Sequence, residues 1–285
     1  MKKLLILFSI IAFSASSANA FDIAPIFKLN IANNEERAVK TVLNSQVRYA
    51  NRGNFNKFIS TYDKDYKNSD GLNLESYSSL VQDIWKTYDN IKYGIKIKDI
   101  KLDGDTATIE LIETSHANIP ISKDMDGELK SLANSIYYLK KIDNKWKVVF
   151  DSVIDETTSM LYGEAMNLNI NLTAPKDIAP NVEYTASLEF TPPIGTMAIA
   201  SIAKDKIEYP QKQAKEVFRK MPDDNLLERL FISNTDNVNE YIIASIGLTK
   251  ADIKDLSLKI SLTGFGYQII RVNVTKPEGE NDKTK

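Results

Sequence analysis

The chain contains no cysteine among its 285 residues. This absence excludes disulfide bonds, thiol nucleophiles and cysteine-ligated metal sites, so each domain depends on its own apolar core. Histidine occurs once, at His116, and a single histidine excludes the usual metal centres built from several histidines. No glycine-rich phosphate loop or dinucleotide fingerprint is present either. The sequence therefore predicts no metal site and no cofactor.

Long apolar runs and clusters of basic residues are also missing. The apolar run at residues 4–13 is shorter than the ~20 residues that span a bilayer. It follows Lys2 and Lys3 and precedes Ala18-Asn19-Ala20, which is typical of a signal peptide (residues 1–20) cleaved after Ala20. The net charge of −2 becomes about −4 once both lysines are removed. We therefore expect a periplasmic or secreted protein with no membrane span and no nucleic-acid partner.

Helical periodicity dominates the first part of the mature chain. Apolar stripes predict one helix from Asn33 to a break at Arg52-Gly53 and a second helix from there to Tyr66. Residues 74–88 predict a third helix, capped by Asn73. Residues 21–32, which precede these helices, are expected to form a leader that is packed on the surface or disordered.

Alternating apolar residues follow the third helix. The alternation in residues 91–102 changes phase at Lys98-Asp99, which is typical of a β-bulge in a bent strand. Asp103-Gly104 predicts a hairpin into the next strand. A second hairpin is predicted at Asp143-Asn144. Residues 33–158 are thus expected to form one domain, with three helices beside a curved antiparallel sheet.

Several of these pieces, in this order, resemble a known superfamily. They are Gly53-Asn54-Phe55 between two helices, the bulged strand, Gly104-Asp105-Thr106-Ala107 and the run LKKIDNKWKV at 139–148. Together they resemble the nuclear transport factor 2-like superfamily, which includes SnoaL-like and ketosteroid isomerase-like proteins. The resemblance implies an α+β cone in which three N-terminal helices close a curved sheet around a cavity. It also implies a homodimer through the open face of the sheet, unless the second domain covers that face.

Short strand-sized runs recur between prolines and glycines beyond Thr158. Seven of them in residues 165–275 predict an all-β, immunoglobulin-like sandwich. The charged segment 211–229 interrupts them and is expected to form a short helix and turn. Residues 276–285 contain no apolar side chain and are predicted to be disordered. The two domains are expected to separate between Thr158 and Ala165.

Gln46 is the most informative polar residue of the first domain, because it lies on the apolar face of the first helix. A polar group in that position either lines a wet cavity or is bonded to buried backbone. The sequence predicts a ligand pocket inside the cone, although plain core packing of its aromatic members is the alternative. The predicted ligand-binding residues are Gln46, Tyr49, Tyr62, Tyr66 and Trp85.

Asp70 is the candidate catalytic residue that the resemblance implies. Counted from the glycine between the first two helices, it falls where ketosteroid isomerases carry the aspartate that moves a proton next to a carbonyl group. The family's oxyanion-binding tyrosine, however, corresponds to Gln46, and Asp70-Gly71 is also an ordinary turn pair. The strand carboxylates Glu110 and Glu113 either point inward or are solvated.

Three classes of function remain, and the lead hypothesis is an exported, non-catalytic binding protein. Its cone would hold a small hydrophobic molecule or a protein partner, and its sandwich would be an interaction module. The first alternative is an isomerase, hydratase or hydrolase with a small hydrophobic substrate, and the second is a structural envelope or adhesion component. A solvent-connected cavity with a paired acid and donor would favour the enzyme. An apolar cavity would favour binding, and a filled interior would favour the structural role.

Overall fold

A computed structural model describes residues 25–212, 214–254 and 257–275, and the protein is mostly β-structure. In the described part of the chain, strands account for 55% and helices for 17%. Among the described helices, none has the length and apolar character needed to cross a membrane. The predicted signal peptide at 1–20 and the predicted disordered tail at 276–285 lie outside the described residues.

The described N-terminal part contains three α-helices, of which the second is only 5 residues long. These are α1 (Pro25–Asn51), α2 (Phe55–Ile59) and α3 (Leu74–Thr87). The helix predicted to reach Tyr66 ends at Ile59, and the residues after it form strand β1 (Tyr62–Asn68). The helix prediction is wrong for Tyr62 and Tyr66, because a spacing of four residues fits one face of a helix and also one face of a strand.

Strands β2 to β13 follow. They are β2 (Lys92–Asp103), β3 (Thr106–Asn118), β4 (Gly127–Ile142), β5 (Lys145–Gly163), β6 (Asn171–Thr173), β7 (Asp177–Ile178), β8 (Glu183–Glu189), β9 (Met197–Lys206), β10 (Arg219–Lys220), β11 (Leu226–Ile232), β12 (Glu240–Lys254) and β13 (Ser257–Val274). The larger, ten-stranded sheet has the hydrogen-bonded order β10-β9-β12-β13-β5-β4-β3-β2, with β1 beside β5 and β7 beside β13. The smaller sheet has the order β11-β8-β6.

The predicted fold class, an α+β cone followed by an immunoglobulin-like sandwich, is therefore wrong. The large sheet replaces the helix-rich cone. The second of the three predicted N-terminal helices is shortened to Phe55–Ile59, and residues 62–66, also predicted to be helical, belong to β1. The C-terminal strands β7, β9, β10, β12 and β13 belong to the same ten-stranded sheet as β1 to β5. The junction lies at β13, which pairs with β12 on one side and with residues 157–163 of β5 on the other. The described residues of 211–229 contain no helix, contrary to the prediction, and include β10 and the start of β11.

Gly264 and Gly266 explain one of these errors. The sequence predicts two separate strands at 256–263 and 267–275, on either side of these glycines, yet both glycines lie within the single 18-residue strand β13. A β-carbon at Gly264 would lie 2.5 Å from the backbone nitrogen of Ala165, and one at Gly266 would lie 2.7 Å from the carbonyl oxygen of Met160. Glycine is therefore needed here for the close approach of a neighbouring backbone and not for a turn.

Local turn and capping signals are confirmed. Asn73 caps α3, and its side-chain oxygen accepts a hydrogen bond from the backbone nitrogen of Ser76 at 2.9 Å. Gly104-Asp105 joins the hydrogen-bonded neighbours β2 and β3, one residue later than the predicted Asp103-Gly104 turn, and Asp143-Asn144 joins β4 and β5. The first helix, in contrast, begins at Pro25 instead of Asn33.

The chain divides into two compact units. The helical unit comprises the described residues up to Ser115 together with residues 132–154. The β unit comprises residues 116–131 and the described residues from Asp155 onwards. Strands β3, β4 and β5 therefore contribute residues to both units.

The β unit has one apolar core between the smaller sheet and the strands β9 and β12. Leu188 of β8, Ala200 of β9 and Ile242 of β12 are all 0% exposed and belong to the same cluster. The side chains of β8 alternate between buried and exposed positions, as expected for a sheet with one face on a core.

Glu240, at the start of β12, is a fully buried polar centre of the β unit with 0% exposure. Its Oε2 accepts a hydrogen bond from the Tyr184 hydroxyl at 2.9 Å, and its Oε1 accepts from Lys204 Nζ at 2.8 Å. The backbone nitrogen and the side-chain amide of Asn234 each donate to Oε1 at 2.8 Å. This carboxylate therefore joins β12 to β8, β9 and the loop after β11.

Candidate functional site

A buried cluster of four tyrosines and two acidic residues lies inside the helical unit. We call it the tyrosine cluster. Its members are Tyr62 and Tyr66 of β1, Tyr77 of α3, Glu113 of β3, Tyr137 of β4 and Asp151 of β5. The four tyrosines are 1–8% exposed, and Asp151 is 2% exposed.

Hydrogen bonds connect the cluster internally. The Tyr66 hydroxyl donates to Asp151 Oδ2 at 2.9 Å, and the hydroxyls of Tyr62 and Tyr77 lie 2.9 Å apart. The Tyr137 hydroxyl donates to Glu113 Oε1 at 2.8 Å. The ring centroids of Tyr62, Tyr66 and Tyr77 are 4.9–5.3 Å apart, which is the usual distance for packed aromatic pairs. The tyrosines thus fill the space between β1 and α3 with their own rings.

Burial also determines the protonation of these hydroxyl groups. Burial raises the pKa of Tyr66 well above 10, and the nearby Asp151 carboxyl group raises this pKa further. The pKa of Tyr137 is raised for the same reason, with Glu113 as the strongest neighbouring charge. These tyrosines are therefore neutral hydrogen-bond donors to the carboxyl groups inside the fold.

The remaining predicted residues have other surroundings. Trp85 of α3 is half-buried, and its Nε1 donates to the Tyr93 hydroxyl at 3.1 Å. The Trp85 ring packs against Phe55 and Phe58, with centroids 6.1 and 5.6 Å away. Phe58 also packs against Tyr62, with centroids 5.5 Å apart, so Trp85 borders the tyrosine cluster through Phe58. Asp70 lies in the turn between β1 and α3.

Gln46 lies on the buried face of α1 and is 6% exposed. Its Nε2 donates to Thr61 Oγ1 at 3.2 Å, and Thr61 Oγ1 itself donates to the carbonyl oxygen of Phe58 at 2.7 Å. The partner of Gln46 is therefore a buried hydroxyl group that keeps a second hydrogen bond of its own.

Replacing Gln46 with leucine is expected to lower the free energy of unfolding by about 1 kcal/mol, because Thr61 loses one donor but still bonds to Phe58. Urea denaturation of the mature chain measures this change. Gln82→Leu, at an exposed position of α3, is the matched control and should change stability by less than about 0.5 kcal/mol. A loss above about 2 kcal/mol would show that other buried groups depend on Gln46.

An open groove with a volume of about 530 Å³ lies between the exposed side of α1 and the segment that contains Thr61. We call it the α1 groove. One wall comes from α1 and the other from the residues after α2 and from the start of β5. The α1 wall consists of Asn34, Arg37, Ala38, Thr41, Val42, Ser45 and Tyr49. The opposite wall consists of Ser60, Thr61, Asn144, Lys145, Trp146 and Lys147.

Positive charge characterises the α1 groove. Its described lining includes the cations Arg37, Lys145 and Lys147, and none of the lining residues is an aspartate or a glutamate. Lys147 Nζ donates to the carbonyl oxygen of Ser60, which fixes this side chain against the wall. Arg37 and Lys145 form no ion pair with any residue that the structure describes. The groove thus presents two uncompensated cations to solvent.

Glu35 attaches α1 to the sheet beside this groove. Its Oε1 accepts from Lys141 Nζ at 2.7 Å and its Oε2 from Trp146 Nε1 at 2.8 Å. Hydrogen bonds from Lys141 and then from Trp146 hold the pKa of Glu35 below its usual value. The charge of Glu35 is therefore matched by Lys141 and does not neutralise the cations of the groove.

Among the predicted ligand-binding residues, Tyr49 lines the α1 groove. Sequence reasoning missed Arg37, Lys145 and Lys147 because each looks like an ordinary solvated charge beside its neighbours in the chain. Arg37 and Lys145 are more than 100 residues apart in the sequence, and no local pattern shows that they line the same groove. The only sequence signal for this groove was a charged arginine, Arg37, on the first predicted helix.

Comparisons with known proteins leave the family open. No family model matches the chain. No curated protein matches it. The resemblance to the nuclear transport factor 2-like superfamily is therefore not confirmed.

Several solved structures are distantly similar to part of this chain, and two of them serve as examples. The structure of Bdellovibrio bacteriovorus Bd1075 is 15% identical with a TM-score of 0.35, over 41% of this chain and 39% of that chain. The crystal structure of the Kfla4162 protein from Kribbella flavida is 11% identical with a TM-score of 0.39, over 43% of this chain and 90% of that chain. The chain thus spans about two fifths of the Bd1075 protein. At these TM-scores neither likeness carries an argument about fold or function.

Proposed function

We propose that this chain is an exported, non-catalytic binding protein whose helical unit holds a small molecule in the α1 groove. The observation that carries the proposal is the groove itself, which collects charged and neutral donors around one open volume. Its volume of about 530 Å³ lies within the range of small-molecule sites, roughly 300–1,000 Å³.

The tyrosine cluster supports this placement of the site. A ligand among Tyr62, Tyr66 and Tyr77 would have to separate rings that pack against one another and hydroxyl groups that are already bonded. The acid and donor pairs of the cluster, such as Tyr137 with Glu113, likewise satisfy each other inside the fold. The groove requires no such displacement, since it is open to solvent.

The proposal is tested by filling the groove. Ala38→Trp and Thr41→Trp each place a large side chain on the α1 wall, and Thr41 is exposed, so its replacement leaves the core intact. Asn44→Trp is the control, because Asn44 is exposed on the same helix and does not line the groove. Native mass spectrometry of the mature protein, purified from its host and re-exposed to host extract, reports a bound small molecule.

We expect the wild type and Asn44→Trp to carry the same additional mass and both groove variants to lose it. Retention of that mass by both groove variants would place the site elsewhere. The absence of any bound small molecule from the wild type after exposure to host extract would also overturn the proposal.

A further inference from the structure

The charge of the α1 groove differs from that of the whole chain. The chain has 36 basic and 38 acidic residues, so the two signs are nearly balanced. The described lining of the groove, in contrast, contains three cations and no carboxylate. Clustering like charges without a counterion is unfavourable, and a bound anion relieves the repulsion.

The acidic residues closest in sequence to Arg37 are already paired. Glu35 accepts hydrogen bonds from Lys141 and Trp146, and Glu36 forms an ion pair with Lys40 on the exposed side of α1. Neither carboxylate is in the groove lining. The counterion for Arg37 and Lys145 is therefore expected to come from outside the chain.

The remaining lining groups indicate the kind of anion. The planar guanidinium group of arginine binds a carboxylate or a phosphate through two parallel hydrogen bonds, and a lysine nearby adds a point charge. The amide groups of Asn34 and Asn144 add neutral donors and acceptors. Ala38 and Val42 provide a small apolar surface for the body of the ligand.

We infer that the ligand of the α1 groove is a small organic anion whose carboxylate or phosphate group is held by Arg37 and Lys145. This inference rests on the proposed function of the groove. It replaces the apolar ligand expected from the sequence with a charged one.

Isothermal titration calorimetry with citrate and with inorganic phosphate tests the inference on the full mature chain. The groove variants are Arg37→Gln and Lys145→Gln, both at exposed positions. Their controls are Arg52→Gln and Lys140→Gln, which remove exposed cations of the same types outside the groove lining. These pairs match the loss of one positive charge, so that only its location differs.

We expect at least one of the two anions to bind, and each groove variant to weaken it about tenfold while the controls stay within about twofold. Added sodium chloride should also weaken binding, because salt screens exposed charges. Binding of citrate alone would identify a carboxylate ligand, and binding of phosphate alone would identify a phosphorylated one. Failure of both anions to bind, or equal effects of groove and control variants, would overturn the inference.

The two proposals fail in different ways. If the molecule from host extract is lost in Ala38→Trp but retained in Arg37→Gln and Lys145→Gln, the groove is the site and its ligand is not held as an anion. If citrate or phosphate binding is lost in the charge variants but persists in Ala38→Trp, the cations bind anions outside the proposed ligand volume. Either outcome overturns the inference on anions and leaves the proposed function standing. The proposed function is overturned if the host molecule persists in both groove-filling variants or if the wild type binds no host molecule.

Discussion

Replacing Glu240 with alanine is expected to lower the free energy of unfolding by about 3–5 kcal/mol. Glu240 is 0% exposed and accepts hydrogen bonds from Tyr184, from Lys204 and twice from Asn234. The substitution removes the acceptor of the Tyr184 hydroxyl and of the Asn234 backbone nitrogen. It also leaves the Lys204 charge without its carboxylate, although Lys204 Nζ still donates to the carbonyl oxygen of Ile232. A buried charge that loses its partner destabilises a fold far more than an exposed one does.

Urea denaturation of the mature chain measures this effect, with Glu183→Ala as the control. Glu183 lies on β8, the strand that also carries Tyr184, but its side chain is exposed. The control should change stability by less than about 0.5 kcal/mol. A loss below about 1 kcal/mol for Glu240→Ala would mean that water replaces the carboxylate and that Glu240 does not hold the strands together.

Replacing Tyr66 with phenylalanine is expected to lower the free energy of unfolding by about 2–3 kcal/mol. The ring remains, so packing against Tyr62 and Tyr77 is preserved and only the hydroxyl group is lost. That hydroxyl donates to Asp151, whose side chain is 2% exposed, and water cannot easily take its place. Removing the donor of a buried carboxyl oxygen leaves that oxygen without this partner, which typically costs about 1–3 kcal/mol.

Tyr138→Phe is the matched control for this second substitution. Tyr138 lies on β4 beside Tyr137, is half-buried and packs against Phe150 with centroids 5.9 Å apart. Among the described residues its hydroxyl group has no hydrogen-bond partner. The control should change stability by less than about 0.5 kcal/mol. Equal small losses for both variants would show that the cluster is wet enough for water to bond Asp151 in place of Tyr66.

The two experiments also bear on where the ligand binds. A large loss for Tyr66→Phe means that the cluster stabilises the helical unit through its internal hydrogen bonds. Binding in the α1 groove should then be unchanged in Tyr66→Phe, since none of the cluster residues lines the groove. A cluster variant that lost the ligand while remaining folded would favour an interior site instead.

Signals that act between close neighbours in the chain were predictable from the sequence. The cap at Asn73 and the turns near Gly104 and at Asp143-Asn144 depend on residues within four positions of one another. The stretch 55–66 was not predictable in the same way. Its aromatic residues fit both a helix and a strand, and pairing with β5, about 80 residues further on, decides in favour of β1.

The candidate site likewise contains one residue that the sequence predicted and others that only the tertiary structure shows. Tyr49 was predicted from the sequence as a ligand-binding residue and lines the α1 groove, and its role in binding stays a prediction. Arg37 and Lys145 were not predicted, since a charged residue on a helix or after a turn is ordinarily solvated. These two cations matter together because they line the same groove and no carboxylate lines it with them. Only the packing of α1 beside the start of β5 shows this arrangement.

The sequence by itself determined the absence of thiol chemistry, the position of the hairpin turns and the cap of α3, because composition and local hydrogen bonding suffice for these. Tertiary structure alone decided that Tyr62 and Tyr66 belong to a strand, that Gly264 and Gly266 lie within one, and that the cations of distant segments share a groove. The physical reason is that strand pairing, close backbone approach and unbalanced charge are properties of neighbours in space, and the order of residues in the chain does not specify those neighbours.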